Sequence, residues 1–207
     1  IGEIKKQIIV ASPLRAYFEG VGGTLTREGV LTWTNMYRMQ GGAPAFIENP
    51  QLILAADRKL QDMFAGQYFA HTSLDGVGPS HWIEEQGYDY IVIGENLALG
   101  SYATDKDLVD AWMASPGHRD NINNPRFQEI GISVGKGMFE GRTTWIAVQE
   151  FAKPTSSCPR ADPKLKSNID FQEKQLSNWQ ARLEVLRAAI KTMDQQDVEK
   201  YNATVDE

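Results

Sequence analysis

The sequence has one cysteine, no long apolar run and no excess of positive charge. Each of these features disfavours a particular class of structure or binding partner. Cys158 has no second cysteine to pair with, so we expect the fold to depend on packing. No stretch of 18 or more apolar residues is present to span a bilayer. The formal net charge of −6 disfavours a general nucleic-acid or anionic-membrane binder, because both need a positive protein face.

What is present is typical of a soluble globular protein with additional segments. The chain has 207 residues, of which 42% are apolar and 23% are charged. It starts at Ile1 without a methionine or a signal-like region. We therefore expect that an export signal or membrane anchor was removed before this point.

Local patterns predict four helices and three strands in the middle of the chain. Thr26 is a candidate N-cap for the first helix. Asn49 and Pro50 fit the cap and first position of the second, which carries one apolar stripe from Leu52 to Phe64. The helices are predicted at 27–39, 50–64, 79–86 and 105–114, and the strands at 90–94, 130–135 and 142–151.

The rest of the chain differs in composition from this middle part. Residues 1–26 have no sustained period and are predicted to be a connector, followed by a domain at 27–153. Residues 154–167 are rich in proline and are predicted to be a semi-extended linker. Residues 168–207 form a helical tail whose apolar seam runs from Leu176 to Met193 with alternating spacings of three and four. A change of phase after Met193 favours a second helix or a helical hairpin.

Three separate blocks hold the residue types that carry chemistry. They are Tyr68-Phe-Ala-His71-Thr-Ser, Gly94-Glu95-Asn-Leu, and the block from Trp112 to Ile122 that contains Ser115 and His118. Imidazole suits proton transfer or metal binding near neutral pH. His81 lacks such a context, and we expect it to be a surface or packing residue.

These blocks, with Phe127-Gln-Glu-Ile-Gly-Ile and Trp145-Ile-Ala-Val-Gln-Glu-Phe151, resemble the CAP superfamily of cysteine-rich secretory, antigen 5 and pathogenesis-related 1 proteins, in its cysteine-poor bacterial form. The resemblance covers a little under two thirds of the chain. It implies an α+β fold, an α-β-α sandwich, here followed by a helical, coiled-coil-like extension. It also implies an extracytoplasmic location, either secreted or anchored through a segment absent from this sequence.

The resemblance places His71, Glu95 and His118 in one central cavity. Two neutral imidazoles with a carboxylate or water form an acceptable open site for a divalent metal such as zinc, bound weakly. The family usually has a second glutamate three residues after the tryptophan that matches Trp112, and this chain has Ser115 there. Catalysis with one glutamate as base and another to orient it is therefore disfavoured, although Glu95 remains a candidate base.

Three functions follow as hypotheses. The first is an extracytoplasmic module whose cavity binds a small molecule, lipid, peptide or cell-wall ligand without turnover. The second is a metal-assisted hydrolase that uses His71, His118 and Glu95. The third is a scaffold that recruits partners or self-associates through the helical tail. No nucleic-acid partner is expected.

Overall fold

A computed structural model describes residues 6–16, 23–158 and 162–205. The chain divides into two compact units, Ile1–Cys158 and Pro159–Glu207. The elements of the first unit are β1 (Gln7–Val10), β2 (Leu14–Ala16), α1 (Arg27–Gln40), β3 (Ile47–Glu48), α2 (Pro50–Gly66), α3 (Pro79–Glu85), β4 (Tyr90–Gly100), α4 (Asp105–Ala114), α5 (Pro116–Asn123), β5 (Glu129–Phe139), β6 (Arg142–Pro154) and a 3₁₀ turn at Thr155–Ser157. The second unit is one helix, α6 (Pro163–Val205).

The helix starts follow the predicted caps. The Thr26 hydroxyl accepts a hydrogen bond from the backbone N–H of Gly29 at 3.1 Å and begins α1. The Asn49 side chain accepts from the backbone N–H groups of Gln51 and Leu52, and Pro50 occupies the first turn of α2. These contacts satisfy amide groups that a helix cannot pair internally. The predicted helix starts at residues 27 and 50 are confirmed.

One mixed sheet forms the centre of the first unit, with strand order β1-β4-β6-β5-β3 and β2 also paired with β4. The three long strands β4, β6 and β5 are antiparallel neighbours. Side chains directly opposite each other on such strands lie on the same face. Glu95 of β4 is directly opposite Glu150 of β6 in this register.

Helices cover both faces of the sheet, which gives the predicted α-β-α layers. On one face, α1, α4 and α5 pack on β4, β5 and β6 around the fully buried Trp112. On the other face, α2 and α3 pack on Ile93, Leu97 and Val148. The apolar side chains do not form one core that joins the α2 stripe to Trp112, because strand alternation divides them between the two faces of the sheet.

The N-terminal segment differs from the predicted connector at 1–26. Its described residues include two strands, which pair in parallel with β4 and extend the sheet. Both strands are short, so no periodic pattern marks them in the sequence. Backbone pairing with the β4 edge, which sequence periodicity does not report, determines this structure.

The C-terminal unit is a single helix of 43 residues. It begins at Pro163, inside the predicted linker, and the change of phase after residue 193 does not interrupt it. The prediction of a second helix or hairpin was therefore wrong. Along the predicted seam, the described apolar side chains are exposed, including Leu176, Trp179, Leu183, Leu186 and Ile190.

Arg38 near the end of α1 joins the loops that support the α5 side of the sheet. Its fully buried guanidinium donates to the carbonyl oxygens of Ile122, Asn124 and Phe127 at 2.7 to 2.9 Å, and to that of Pro44 at 2.5 Å. It also stacks on Phe46, with 3.8 Å between the guanidinium carbon and the ring centre. Burial lowers the pKa of Arg38 to about 10, which leaves it charged at neutral pH.

Candidate functional site

His71 lies in the loop after α2 and contacts two acceptors through its two ring nitrogens. Its Nδ1 is 2.5 Å from Oε1 of Glu95, and its Nε2 is hydrogen-bonded to the backbone carbonyl of Ala11. The His71 side chain is 13% exposed, whereas the Glu95 side chain is fully buried. The His71 backbone carbonyl accepts from the buried Lys59 ammonium at 3.0 Å, which fixes the loop on α2.

This arrangement determines where the protons are. A backbone carbonyl only accepts hydrogen bonds, so Nε2 must carry hydrogen. A carboxylate also accepts, so Nδ1 carries hydrogen as well unless Glu95 is itself protonated. The His71–Glu95 pair therefore holds one proton more than a neutral imidazole and a carboxylate. In this state His71 acts toward Ala11 as a hydrogen-bond donor and has no free lone pair.

His118 is placed by α5, a helix that the sequence analysis did not predict. Ser115 is the N-cap residue of α5, and its Oγ lies 2.8 Å from Nδ1 of His118. The imidazole is almost fully buried. Burial lowers the pKa of His118 to about 4, with the backbone of Leu97 opposing this effect and His71 reinforcing it. A histidine this hard to protonate is a poor general base at neutral pH.

Glu150 is the site residue that the sequence analysis missed. It is fully buried opposite Glu95 on the face that α2 covers. Burial raises the pKa of Glu150 well above its usual range, and the nearby Glu95 carboxylate raises it further. Among the described residues neither Glu150 oxygen has a hydrogen-bond donor, and the same is true of Oε2 of Glu95. A proton on Glu150 supplies the missing donor, because two buried carboxylates on directly opposite residues resist joint ionisation.

Lys59 of α2 places a cation near the carboxyl groups of Glu95 and Glu150. Its ammonium is fully buried and donates to the hydroxyl of Tyr68 at 3.0 Å, in addition to the His71 carbonyl. Burial lowers the pKa of Lys59, whereas the charge on Glu95 opposes this change. The site therefore combines a buried cation, two adjacent carboxyl groups and one partly exposed imidazole.

Buried amides attach α5 to the sheet beside this site. The Asn96 side chain donates to the His118 backbone carbonyl at 3.2 Å and accepts from Asn121 at 3.0 Å. Asn121 also reaches the backbone carbonyl of Glu95 at 3.4 Å. Because every contact crosses between β4 and α5, the network fixes the His118 backbone relative to Glu95.

The structure joins the predicted site residues in pairs. His71 contacts Glu95, and His118 contacts Ser115. Within the described part of the chain, no three His, Cys, Asp or Glu side chains are arranged to hold a metal ion. Nε2 of His71 already donates to Ala11, and a donating nitrogen cannot coordinate a cation. While Ala11 occupies Nε2, this arrangement does not fit a divalent metal. The weak zinc binding expected from the sequence stays a hypothesis that zinc calorimetry on the wild type and His71→Ala decides.

The comparison with known families agrees with this fold. The family model for CAP, described as the cysteine-rich secretory protein family, matches residues 31–151, more than half of the chain. The chain belongs to the CAP family. The matched CAP region runs from α1 to β6 and contains His71, Glu95, His118 and Glu150, but not Ala11, which lies between β1 and β2.

Two Bacillus subtilis proteins share this CAP region. The uncharacterized protein YkwD is 36% identical over 116 residues, which are 56% of this chain and 43% of YkwD. The uncharacterized membrane protein YlbC is 26% identical over 113 residues, which are 55% of this chain and 32% of YlbC. The match therefore spans less than half the length of either relative.

Solved structures show the same CAP fold. An extracellular Bacillus anthracis protein with an SCP domain has a TM-score of 0.52 and 22% identity, covering 64% of this chain and 45% of that one. An outer surface protein of Borrelia burgdorferi has a TM-score of 0.53 and 21% identity, covering 63% and 96%. Among the described residues, no helix is long and apolar enough to cross a membrane.

Proposed function

We propose that this CAP protein is an extracytoplasmic binding module that recognises a carbonyl group through the His71–Glu95 pair, without turnover. The observation that carries the proposal is the hydrogen bond from Nε2 of His71 to a backbone carbonyl. Glu95 accepts from the opposite nitrogen and keeps the donating hydrogen directed at the Ala11 carbonyl. The extracellular and outer-surface structural neighbours support the location.

The same contacts disfavour the hydrolase hypothesis. A serine nucleophile needs a basic histidine oriented by a further group. Ser115 and His118 are within hydrogen-bond distance, but the pKa of His118 is lowered to about 4. Glu95 is fully buried behind His71, where it orients the imidazole rather than a water molecule.

Histidine-selective NMR together with a turnover assay tests this proposal. In the full chain labelled with ¹⁵N-histidine, Nε2 of the His71 ring should carry hydrogen, because it donates to the Ala11 carbonyl. Glu95→Gln should change the His71 signals, whereas His81→Gln, at an exposed histidine, should leave them unchanged. N-acetylated peptide amides and simple esters should remain intact on chromatography. Hydrolysis that disappears with His71→Ala or His118→Ala would favour the hydrolase instead.

The tail supports self-association as a second candidate function. Leu176, Trp179 and Leu183 belong to an exposed seam with coiled-coil spacing. In a parallel pair, Arg182 of one helix would face Arg187 of the other. In an antiparallel pair centred near residue 180, Glu173 instead faces Arg187 of the second copy, twice by symmetry. Charge complementarity therefore favours an antiparallel dimer.

Light scattering on the full chain tests this dimer. Glu173→Arg should lower the dimer fraction, because each flanking pair becomes repulsive. Glu173→Arg combined with Arg187→Glu should restore it. Lys174→Glu, on the outer face of the helix, is the matched charge-change control and should leave the mass unchanged. A wild-type chain that remains monomeric at high concentration would exclude the dimer.

A further inference from the structure

The N-terminal strands occupy the β4 edge in the manner of an added peptide. Residues 7–10 pair in parallel with residues 92–95, and residues 14–16 pair with residues 98–100. Three residues, 11 to 13, therefore lie opposite only two, 96 and 97, and the segment bulges away from β4 at this point. The bulge presents the Ala11 carbonyl to Nε2 of His71.

Ala11 is held where only a small side chain fits. It is 5% exposed, whereas its neighbours Ile8 and Val10 on the same segment are 49% and 45% exposed. On the α5 side, a Cβ placed on Gly117 would lie 3.2 Å from the Ala11 methyl group. The space between His71 and α5 therefore accepts alanine and rejects larger residues at this position.

The β4 edge and its surroundings are shaped for an extended chain. A Cβ at Gly94 would lie 2.6 Å from the Phe127 ring and 2.9 Å from the Ile9 carbonyl, so glycine permits the close approach of both. At the ends of the segment, Lys6 pairs with Glu84 at 2.9 Å and Arg15 pairs with Glu140 at 3.1 Å. These exposed ion pairs contribute little affinity, but they favour one direction and register.

We propose that the β4 edge, His71 and Gly117 form a groove for an extended polypeptide, and that residues 7–16 are its intramolecular occupant. The inference rests on the proposed function and names its ligand class. The ligand is a segment that pairs in parallel with β4, carries an alanine-sized residue at the bulge and has basic residues near both ends. Strand addition supplies backbone hydrogen bonds, and the small pocket supplies selectivity.

The test displaces residues 7–16 from the groove and then adds the same segment as a separate peptide. Ala11→Leu in the full chain should force the segment out of the groove, and Ser12→Leu, at the exposed neighbour, is the matched control. Hydrogen exchange in residues 7–10 should accelerate at least about tenfold in Ala11→Leu and remain at the wild-type rate in Ser12→Leu. A labelled peptide of residues 6–16 should then bind Ala11→Leu, and neither of the other two proteins.

Peptides of different sequence distinguish specific binding in the groove from non-specific binding to an exposed strand edge. A peptide with leucine in place of Ala11 should bind at least about tenfold more weakly, and a scrambled peptide should not bind. Failure of the native peptide to bind a released groove would overturn the proposal, as would equal binding of the leucine peptide. Unchanged exchange in Ala11→Leu would also overturn it.

A second arrangement covers the case in which Ala11→Leu does not fold. A protease site introduced between Ala16 and Gly23 lets the segment be cut while it occupies the groove. The labelled native peptide should then replace the cut segment, and the leucine peptide should not. A segment that never exchanges is a fixed part of the sheet and would refute the groove.

The results also separate this inference from the proposed function. If His71→Leu does not affect peptide binding, the groove proposal is supported and carbonyl recognition by His71 is refuted. Peptide that binds and is then hydrolysed would leave the groove and contradict binding without turnover. Absence of peptide binding, with an intact His71–Glu95 signature by NMR, would remove the groove alone.

Discussion

Acid should destabilise the fold through His118. The pKa of this buried imidazole is about 4, compared with 6.5 for an unperturbed histidine, because burial disfavours the charged ring. A group with a lowered folded-state pKa contributes stability that is present above its unfolded pKa. This contribution is lost as pH falls from 6.5 toward 4. The full difference corresponds to about 3 kcal/mol, and screening reduces the expected loss between pH 7.5 and 5 to about 1–2 kcal/mol.

Urea unfolding with chelator present, at several pH values between 7.5 and 5, measures this loss. His118→Asn keeps a polar atom near Ser115 but does not titrate, so its stability should fall by about 1–2 kcal/mol less than that of the wild type. His81→Gln removes an exposed histidine and should follow the wild type. Parallel pH profiles for wild type and His118→Asn would show that His118 is not held neutral by the fold.

Three further predictions concern buried groups. The pKa of Glu150 is raised in the folded state, so the stability that its proton contributes is fully present below 4.5 and falls as pH rises toward the raised pKa. Glu150→Gln should therefore stabilise the protein at pH 8 by about 1–2 kcal/mol, and urea unfolding at pH 5 and 8 must show the difference widening with pH. Arg38→Ala should lower the free energy of unfolding by about 4 kcal/mol and Arg38→Lys by about 2–3 kcal/mol, because the buried carbonyl groups of Ile122 and Phe127 lose their donor. Thermal melts of these variants that match the wild type would contradict this prediction. Calorimetry with zinc at neutral pH should show no binding dependent on His71 while Ala11 occupies its Nε2; equal zinc titrations of wild type and His71→Ala would agree, and a histidine-dependent heat would restore the metal site.

The sequence predicted the elements that have strong local signals. The caps at Thr26 and Asn49 and the apolar stripe of α2 depend on neighbouring residues, so they can be identified without the fold. Motif resemblance also identified His71, Glu95, Ser115 and His118 as residues of interest. The contacts of His71 with Glu95 and of His118 with Ser115 were not separately predictable, because local periodicity does not report which side chains meet.

The remaining features depend on long-range pairing. Glu150 follows Ile146 and Val148 at alternate positions of one strand, so all three side chains share a buried face. This alternation was the signal in the sequence that could have predicted a buried carboxyl group. Its importance appears only when β6 places it opposite Glu95. The N-terminal strands have no signal of their own, because β4 determines their conformation. Arg38 was missed for a similar reason. Its carbonyl partners come from separate loops, and an arginine in an amphipathic helix predicts an exposed charge.

The order of charges across the site explains why it favours recognition over turnover. Lys59 and the protonated Glu150 lie on the α2 side, Glu95 lies next to them, and His71 lies between Glu95 and the Ala11 carbonyl. These contacts end at Nε2 of His71, which donates to the Ala11 carbonyl while Glu95 holds Nδ1. A nitrogen that must donate cannot deprotonate water or bind a cation. Chemistry would first require the carbonyl to leave, whereas binding requires only that another carbonyl take its place.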